Sequence, residues 1–337
     1  MGHRRIVITW IVLGGLVVAA FAGTVIALNA TLYSASGFVG SYLAALSRQD
    51  VSAAVKLAGP MPGGQKTGGE ALDRELLDPR ALGELGDIRL VDDTVQPDGR
   101  HRVSYRYSLT GTGISGTTSS TTGMTTFTVE RAGTRMGLFT AWRFSTSPLG
   151  TLTITPQHDA AFTVNGLYLS STGPDAPRSF LALIPGDYLL GHDSDYFTAK
   201  PVAVPITTAG STTQAAVDVQ ANSFFTKQVQ KGLDDQLKKC ATQQVLLPTG
   251  CPFGKQIGDR IEGAPAWSIV RNPVVRIAPA DKPGTWQVPQ TEGIAHLTVQ
   301  VRSIFDGSVS TLDEDVPFTV DYLIAFKAGG QLVITSQ

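Results

Sequence analysis

The sequence predicts an α+β protein that follows a single membrane-spanning helix. Residues 6–28 contain no charged side chain, and apolar residues then recur every three or four positions in two later segments. Each of these helical patterns precedes stretches in which apolar and polar residues alternate, as in β-strands. Helices followed by runs of antiparallel strands define the α+β class.

Residues 6–28 are predicted to cross a membrane. As a helix of about 1.5 Å per residue, the segment is roughly 34 Å long, enough for a hydrocarbon core of about 30 Å. The alternative is a cleaved signal peptide, whose apolar region is shorter, about 7–15 residues. Cleavage after Ala30 would also place Leu28 where a small residue is preferred. These features favour a retained anchor.

The distribution of basic residues predicts the orientation of this anchor. Arg4 and Arg5 precede the span, and the next basic residue is Arg48. The positive-inside rule therefore predicts a cytoplasmic tail of residues 1–5 and extracellular C-terminal domains. The tail is too short for a signalling domain, so transmembrane signalling would need a partner protein.

Charge and cysteine content narrow the remaining function classes. The whole chain has a formal net charge of −1, so the part without Arg4 and Arg5 has −3. This balance argues against nucleic-acid binding and against a polybasic lipid-binding patch. Cys240 and Cys251 are predicted to form a disulfide, because an even count at short spacing outside the cytoplasm is typical of one. A zinc site is disfavoured since no histidine lies nearby, and so is a catalytic thiol.

The first exterior domain is predicted over residues 33–146. Its opening helix has an apolar face, and Asp50 stands at the N-cap of a second short helix. Residues 70–82 are predicted to hold a further helical piece. Strands are predicted from alternation at residues 88–91, 103–109, 127–129 and 136–144.

Two further domains are predicted beyond residue 146. Short strands and turn dipeptides, including Asn165-Gly166, predict a small β-sandwich over residues 149–208, then a linker over 207–214. A second α+β domain is predicted over 219–337, with the disulfide loop between its helix and strands. The two α+β domains resemble loose copies, since HRVSYRYSL parallels IAHLTVQVRSI and TTFTVERAG parallels VPFTVDYLIAF.

Two stretches resemble known families. FVGSYLAALSRQDVSAAVKL, residues 38–57, resembles the opening helices of the NTF2-like superfamily, a cone-shaped α+β fold. That resemblance covers 33–146 and extends to 219–337, which departs from it by lacking a second short helix. It implies a pocket or a dimer surface rather than a particular reaction. Tyr105 and Tyr107 lie on one face of a predicted strand and are candidates to line such a pocket, with core packing or an exposed sheet surface as the alternatives.

The middle domain is similar to PEGA-type β-modules of cell-envelope proteins. The similarity rests on AFTVNG at residues 161–166 and IPGDY at 184–188. The order of anchor and domains is similar to that of Gram-positive envelope proteins, and the Ala-, Gly- and Thr-rich composition suggests an actinobacterial source.

Several motifs have both a functional and a purely structural interpretation. Residues 111–116 satisfy G-x-G-x-x-G, but a strand rather than a helix is predicted to follow, so a hairpin tip is favoured over a dinucleotide site. His192, Asp193 and Asp195 are predicted to form a solvated turn, and residues 313–315 a charged loop, with cation binding as the alternative for each. The five histidines are scattered. The sequence therefore assigns no catalytic residue, cofactor site or metal site.

No motif in the sequence indicates a particular enzymatic reaction. It predicts a single-pass extracellular envelope protein, not an enzyme, that binds or scaffolds a cell-wall component, a small ligand or another envelope protein. The alternative is an extracellular enzyme that uses an NTF2-like cone pocket.

Overall fold

The computed structural model describes residues 2–60, 72–326 and 332–336. Part of the predicted helical piece at 70–82 lies outside these residues, and its described part contains two single 3-10 turns, Glu75–Leu77 and Pro79–Ala81. Strands dominate the chain, and the helices are few. The α+β character predicted from the sequence is therefore present, with a β-rich region in the middle.

The three N-terminal helices agree with the sequence patterns. They are α1 (Gly2–Ala30), α2 (Ala35–Ser47) and α3 (Val51–Ala58). The side chain of Asp50 accepts a hydrogen bond from the backbone N–H of Ala53, which confirms the predicted cap of α3. The buried face of α2 includes Tyr42 and Leu43, as the three- and four-residue spacing predicts.

The first sheet is an antiparallel meander in the order β1-β2-β3-β4. Its strands are β1 (Glu84–Val95), β2 (His101–Thr112), β3 (Thr118–Arg135) and β4 (Phe139–Phe144). Helix α2 packs against β1, β2 and β3. The core between them contains the rings of Tyr42, Phe127 and Phe144 in mutual contact.

The second sheet has seven strands in the order β7-β6-β9-β10-β11-β5-β8. They are β5 (Leu149–Gln157), β6 (Ala161–Val164), β7 (Leu167–Ser170), β8 (Arg178–Leu183), β9 (Gly186–Asp193), β10 (Phe197–Ile206) and β11 (Thr212–Ala221). Strand β11 pairs with β5 along most of its length and with β10 at its end. Strands β6 and β8 lie near opposite ends of this sheet order but face each other, since the rings of Phe162 on β6 and Phe180 on β8 are 6.1 Å apart. The predicted end of this region at residue 208 falls before β11.

The third region repeats the arrangement of the first. Helix α4 (Ser223–Ala241) precedes β12 (Arg260–Ile261), β13 (Ala266–Arg271), β14 (Ala278–Pro279), β15 (Trp286–Arg302), β16 (Val309–Phe326) and β17 (Leu332–Ser336). The short strands β12, β13 and β14 share one edge of β15, and β16 and β17 continue from the other edge. In both α+β regions helix precedes antiparallel strands, but the first region has two helices, α2 and α3, where the third has only α4 among the described residues.

The described residues bury two hydrophobic cores rather than three. One core belongs to the first region, with three leucines contributed by β5 and β8. The other runs without interruption through the middle and third regions. At that junction the rings of Phe197 and Trp286 stack 4.8 Å apart, and Tyr196 contacts Phe225 and Phe326. The regions predicted as separate domains at 149–208 and 219–337 therefore share one core.

Candidate functional site

Helix α1 contains an apolar segment long enough to cross a membrane. The segment Ile8–Ala30 has 23 residues, and an 18-residue window in it has a mean hydropathy of 2.5. None of that window is buried against the rest of the protein. An uncovered helix of this length and composition is typical of a membrane anchor or a signal sequence.

The end of α1 is hydrogen-bonded to the hairpin that joins β3 and β4. The Asn29 side-chain amide donates to the carbonyl of Leu138 over 2.9 Å, and its oxygen accepts from the backbone N–H of Thr140 over 2.9 Å. Just beyond the helix, the Tyr33 ring stacks on that of Phe139 at 4.3 Å. Both sides of the Asn29 amide therefore satisfy backbone groups of one hairpin, so that the first sheet is attached directly to α1.

The turn of this hairpin is apolar and open to solvent. We call residues 136–138 the β3–β4 tip. Met136 is 91% exposed and Leu138 is 47% exposed, and Leu32, just after α1, is 63% exposed. Met136 and Gly137 have positive φ values of 53° and 69°, which form the tight turn.

A cavity of about 200 Å³ lies beside this junction. It is formed by α2, α3, β4 and the segment after α1, and its lining includes Leu32, Tyr33, Phe38, Leu57, Arg135 and Trp142. The indole N–H of Trp142 donates to the carbonyl of Tyr33 over 2.8 Å, so its ring is fixed in the wall.

A second cavity, the central cleft, lies between the first and middle regions. Its volume is about 190 Å³, and it is bounded by the β2–β3 turn on one side and by β6, β9 and β10 on the other. Thr163 lines it and is only 2% exposed, yet its hydroxyl has no hydrogen-bond partner within the described part of the chain. An unpaired buried hydroxyl is unfavourable by about 1–3 kcal/mol.

The β2–β3 turn that borders the cleft is the glycine-rich motif at residues 111–116. It holds a single 3-10 turn, Ile114–Gly116, and leads directly into β3. The predicted hairpin tip is confirmed, and the helix that a dinucleotide site requires is replaced by a strand.

The structure separates the residues predicted to form one solvated turn at 191–197. His192 lies in β9 and is buried, and its ring bonds the carbonyl of Ala161 and the hydroxyl of Ser194. The prediction of a solvated position is wrong for His192, because β9 continues through it, and the bend falls at Asp195 and Tyr196. In the parts of the chain that the structure describes, no three His, Cys, Asp or Glu side chains are grouped to hold a metal ion.

Tyr105 and Tyr107 share the inward face of β2, as their spacing predicts. The Tyr105 hydroxyl donates to the carbonyl of Ser36 over 2.9 Å, and the Tyr107 hydroxyl bonds that of Thr125. Burial raises the pKa of both phenols. The two cavities above are lined by other residues, and the pocket role of the tyrosines stays a prediction.

Cys240 and Cys251 form the predicted disulfide, with Cα atoms 5.7 Å apart. The bond joins the end of α4 to the loop that leads to Phe253, whose ring packs on Trp267 at 5.0 Å. A disulfide of this kind is typical of an oxidising, extracellular compartment.

A histidine–carboxylate cluster occurs on the third sheet. The His296 ring bonds Asp315 through Nδ1 over 2.8 Å and Asp313 through Nε2 over 2.5 Å. These two hydrogen bonds, that to Asp315 foremost, raise the pKa of His296 above its usual value. The prediction of a charged loop at 313–315 is wrong, because the residues lie within β16 and Asp315 is directly opposite His296 on β15.

Comparison of the chain with protein-family models, with curated proteins and with solved structures gives no match. The NTF2-like and PEGA-type resemblances therefore stay predictions. The fold and the sites define an α+β and β-rich protein with an N-terminal apolar helix and one disulfide.

Proposed function

We propose that the protein is a single-pass membrane-anchored extracellular envelope protein with a non-catalytic binding or scaffolding role. The observation that carries this proposal is the pair of hydrogen bonds between Asn29 and the β3–β4 hairpin. Cleavage after Ala30 would remove Asn29 from the mature protein, and the two backbone groups of the hairpin would then bond to water. A retained helix keeps the hairpin attached to α1, which supports an anchor over a signal sequence.

The arrangement of charge and cysteines supports the proposed orientation. Arg4 and Arg5 precede the apolar segment, and by the positive-inside rule this supports a cytoplasmic N-terminus. The disulfide then lies on the oxidising side of the membrane, with both exterior cores.

The central cleft supports a binding role. It is bordered by Thr163, whose buried hydroxyl has no hydrogen-bond partner among the described residues, and by His192, whose ring nitrogens are both engaged in hydrogen bonds. We propose that the cleft takes a small polar group, such as part of a cell-wall component or of an envelope partner.

The anchor is tested by alkaline extraction of membranes that contain the full chain, followed by intact-mass measurement. We expect the protein to stay in the membrane pellet at a mass that includes residues 1–30. Release of a shorter chain that begins near residue 31 would show that the helix is a cleaved signal sequence. A Leu16→Lys, Val17→Lys variant serves as the control, since two charges within the apolar segment oppose insertion.

The cleft is tested by Thr163→Val, which replaces the hydroxyl by a methyl group of similar shape. In the absence of ligand we expect unchanged or higher thermal stability, because an unpaired buried hydroxyl is removed. Crosslinked pull-down from cells should recover less partner with this variant. Thr122→Val, at an exposed position on β3, is the matched control. A clear loss of stability in Thr163→Val, with unchanged recovery, would mean that the hydroxyl is structural.

A further inference from the structure

We infer that the β3–β4 tip inserts into the outer interfacial layer of the membrane. The first α+β region would then be held at two points, by α1 and by the tip. This inference rests on the proposed function, because it requires that α1 stays in the bilayer.

The depth of the tip follows from its attachment to α1. The apolar segment Ile8–Ala30 is roughly 34 Å long at about 1.5 Å per residue, and the hydrocarbon core is about 30 Å thick. Asn29 therefore lies at the outer boundary of the hydrocarbon. The Leu138 carbonyl is 2.9 Å from the Asn29 amide, so the tip begins at the same depth.

The side chains at this depth suit a lipid headgroup layer. Met136, Leu138 and Leu32 expose apolar surface at one place, which lipid would cover. Arg131 and Arg135 flank the tip on β3 and are exposed, so they can meet lipid phosphates. Trp142, which Arg131 overlies at 5.8 Å, is the kind of aromatic residue that is enriched at membrane interfaces. Apolar, basic and aromatic groups thus coincide beside the end of the span.

We expect the tip to contact lipid rather than another protein, because its attachment to the end of α1 holds it at the membrane surface. A chain that carries α1 through the bilayer brings the tip to the lipid surface in every copy. A partner protein would have to displace headgroups to reach it.

The test compares fluorescent labels at two methionine positions of the full chain, Met136 in the tip and Met124 earlier on β3. Met136→Cys and Met124→Cys are each labelled with an environment-sensitive fluorophore, and the oxidised native cysteines do not react. Met124 is also exposed, at 55%, and lies up to about 40 Å from Met136 at about 3.3 Å per residue along β3. The proteins are reconstituted into vesicles of phosphatidylcholine and phosphatidylglycerol.

We expect the label at 136 to be blue-shifted, quenched by lipids with a nitroxide high on the acyl chain, and several-fold less quenched by aqueous iodide than the label at 124. Leu138→Cys repeats the measurement at a second position of the tip. Equal iodide quenching at 124, 136 and 138 in vesicle-bound protein would overturn the inference. Protein that fails to stay with the vesicles at alkaline pH would instead overturn the proposed function.

Discussion

The two α+β regions have the same order of elements but are attached to the molecule in different ways. In each region, helix precedes a sheet of antiparallel strands. The first region has its own core and is bonded to the end of α1, whereas the third region shares its core with the middle region. A shared topology therefore does not imply a shared role. The first region is attached to α1, whereas the middle and third regions fold around one core.

The contacts at the two junctions differ in chemistry. Between the first and middle regions, the buried Tyr42 hydroxyl donates to the carbonyl of Ile184 over 2.7 Å, and Ser119 donates to Asp187 over 2.5 Å, beside the three leucines of β5 and β8 that enter the first core. Between the middle and third regions, stacked rings such as Phe197 and Trp286 dominate. Buried apolar area contributes most to folding cooperativity, whereas a hydrogen bond contributes a net of about 1 kcal/mol. We therefore expect the middle and third regions to unfold together.

The largest expected effect comes from truncating one aromatic side chain in each core. Trp286→Ala removes a ring that is almost fully buried in the merged core and should reduce the free energy of unfolding by about 3–5 kcal/mol. Because middle and third regions share that core, hydrogen exchange should rise in both, over residues 149–221 and 260–326. Peptides from 84–144 should be unchanged.

Phe127→Ala is the matched variant in the first core, where the ring contacts Tyr42 and Phe144. Its exchange should rise over 84–144 and at the leucines of β5 and β8 that enter this core, and it should stay unchanged in the third region. If Trp286→Ala raised exchange only over 260–326, the middle and third regions would be separate folding units. The distinction between merged and independent cores would then fail.

Local patterns in the sequence predict most elements, because helix periodicity, caps and strand alternation depend on neighbouring residues. Asp50, the hairpin at residues 111–116 and the Cys240–Cys251 bond are of this kind. The merged core is different, since it depends on rings from Tyr196 to Phe326 that meet only after folding. Strand β11 was predicted in part as a linker, because its Thr-rich start resembles a loop and its pairing with distant β5 has no local signal.

The candidate sites likewise divide into those that a local sequence pattern predicts and those that form only when distant residues meet. The apolar helix and the disulfide are visible in the sequence, whereas the Asn29–Leu138 bond joins residues more than a hundred positions apart. The Thr163 hydroxyl is unpaired only because of how three strands and a turn surround it. The pairing of His296 with an acidic residue could have been predicted from the sequence. The parallel between residues 294–304 and 101–109 places it on the second strand of a meander, so an acidic partner on the next strand could have been expected.

A smaller effect is expected from the N-caps of the two helices that open the α+β regions. Asn222 caps α4 by accepting from the backbone N–H of Phe225, and it also donates to the carbonyls of Ser194 and Asp195 in the middle region. Asn222→Ala should destabilise the protein by about 1 kcal/mol and raise hydrogen exchange at the β9–β10 turn as well as in α4.

Ser34→Ala is the matched variant for α2, since the Ser34 hydroxyl accepts from the backbone N–H of Gly37. A similar loss of about 1 kcal/mol is expected, with increased exchange confined to the start of α2 and the segment before it. Spread of the Ser34→Ala effect into 149–221 would contradict the idea that the first region folds on its own core.

The smallest expected effect is a pH dependence that belongs to the third region. Hydrogen bonds to Asp315 and then Asp313 raise the pKa of His296 above its usual value of 6.5. The folded state therefore binds this proton more tightly than the unfolded state. The resulting stabilisation is fully present below pH 6.5 and is lost as the pH rises through the raised pKa of the folded protein.

This dependence is measured as the change in melting temperature between pH 6 and pH 8 for the native protein and for His296→Gln. The native protein should lose more stability over this interval than the variant, because glutamine carries no proton to lose. Asp313→Asn, Asp315→Asn keeps the imidazole but removes both carboxylates, and it should abolish the same difference. If all three proteins changed in parallel, protonation of His296 would make no contribution to the stability of the third sheet.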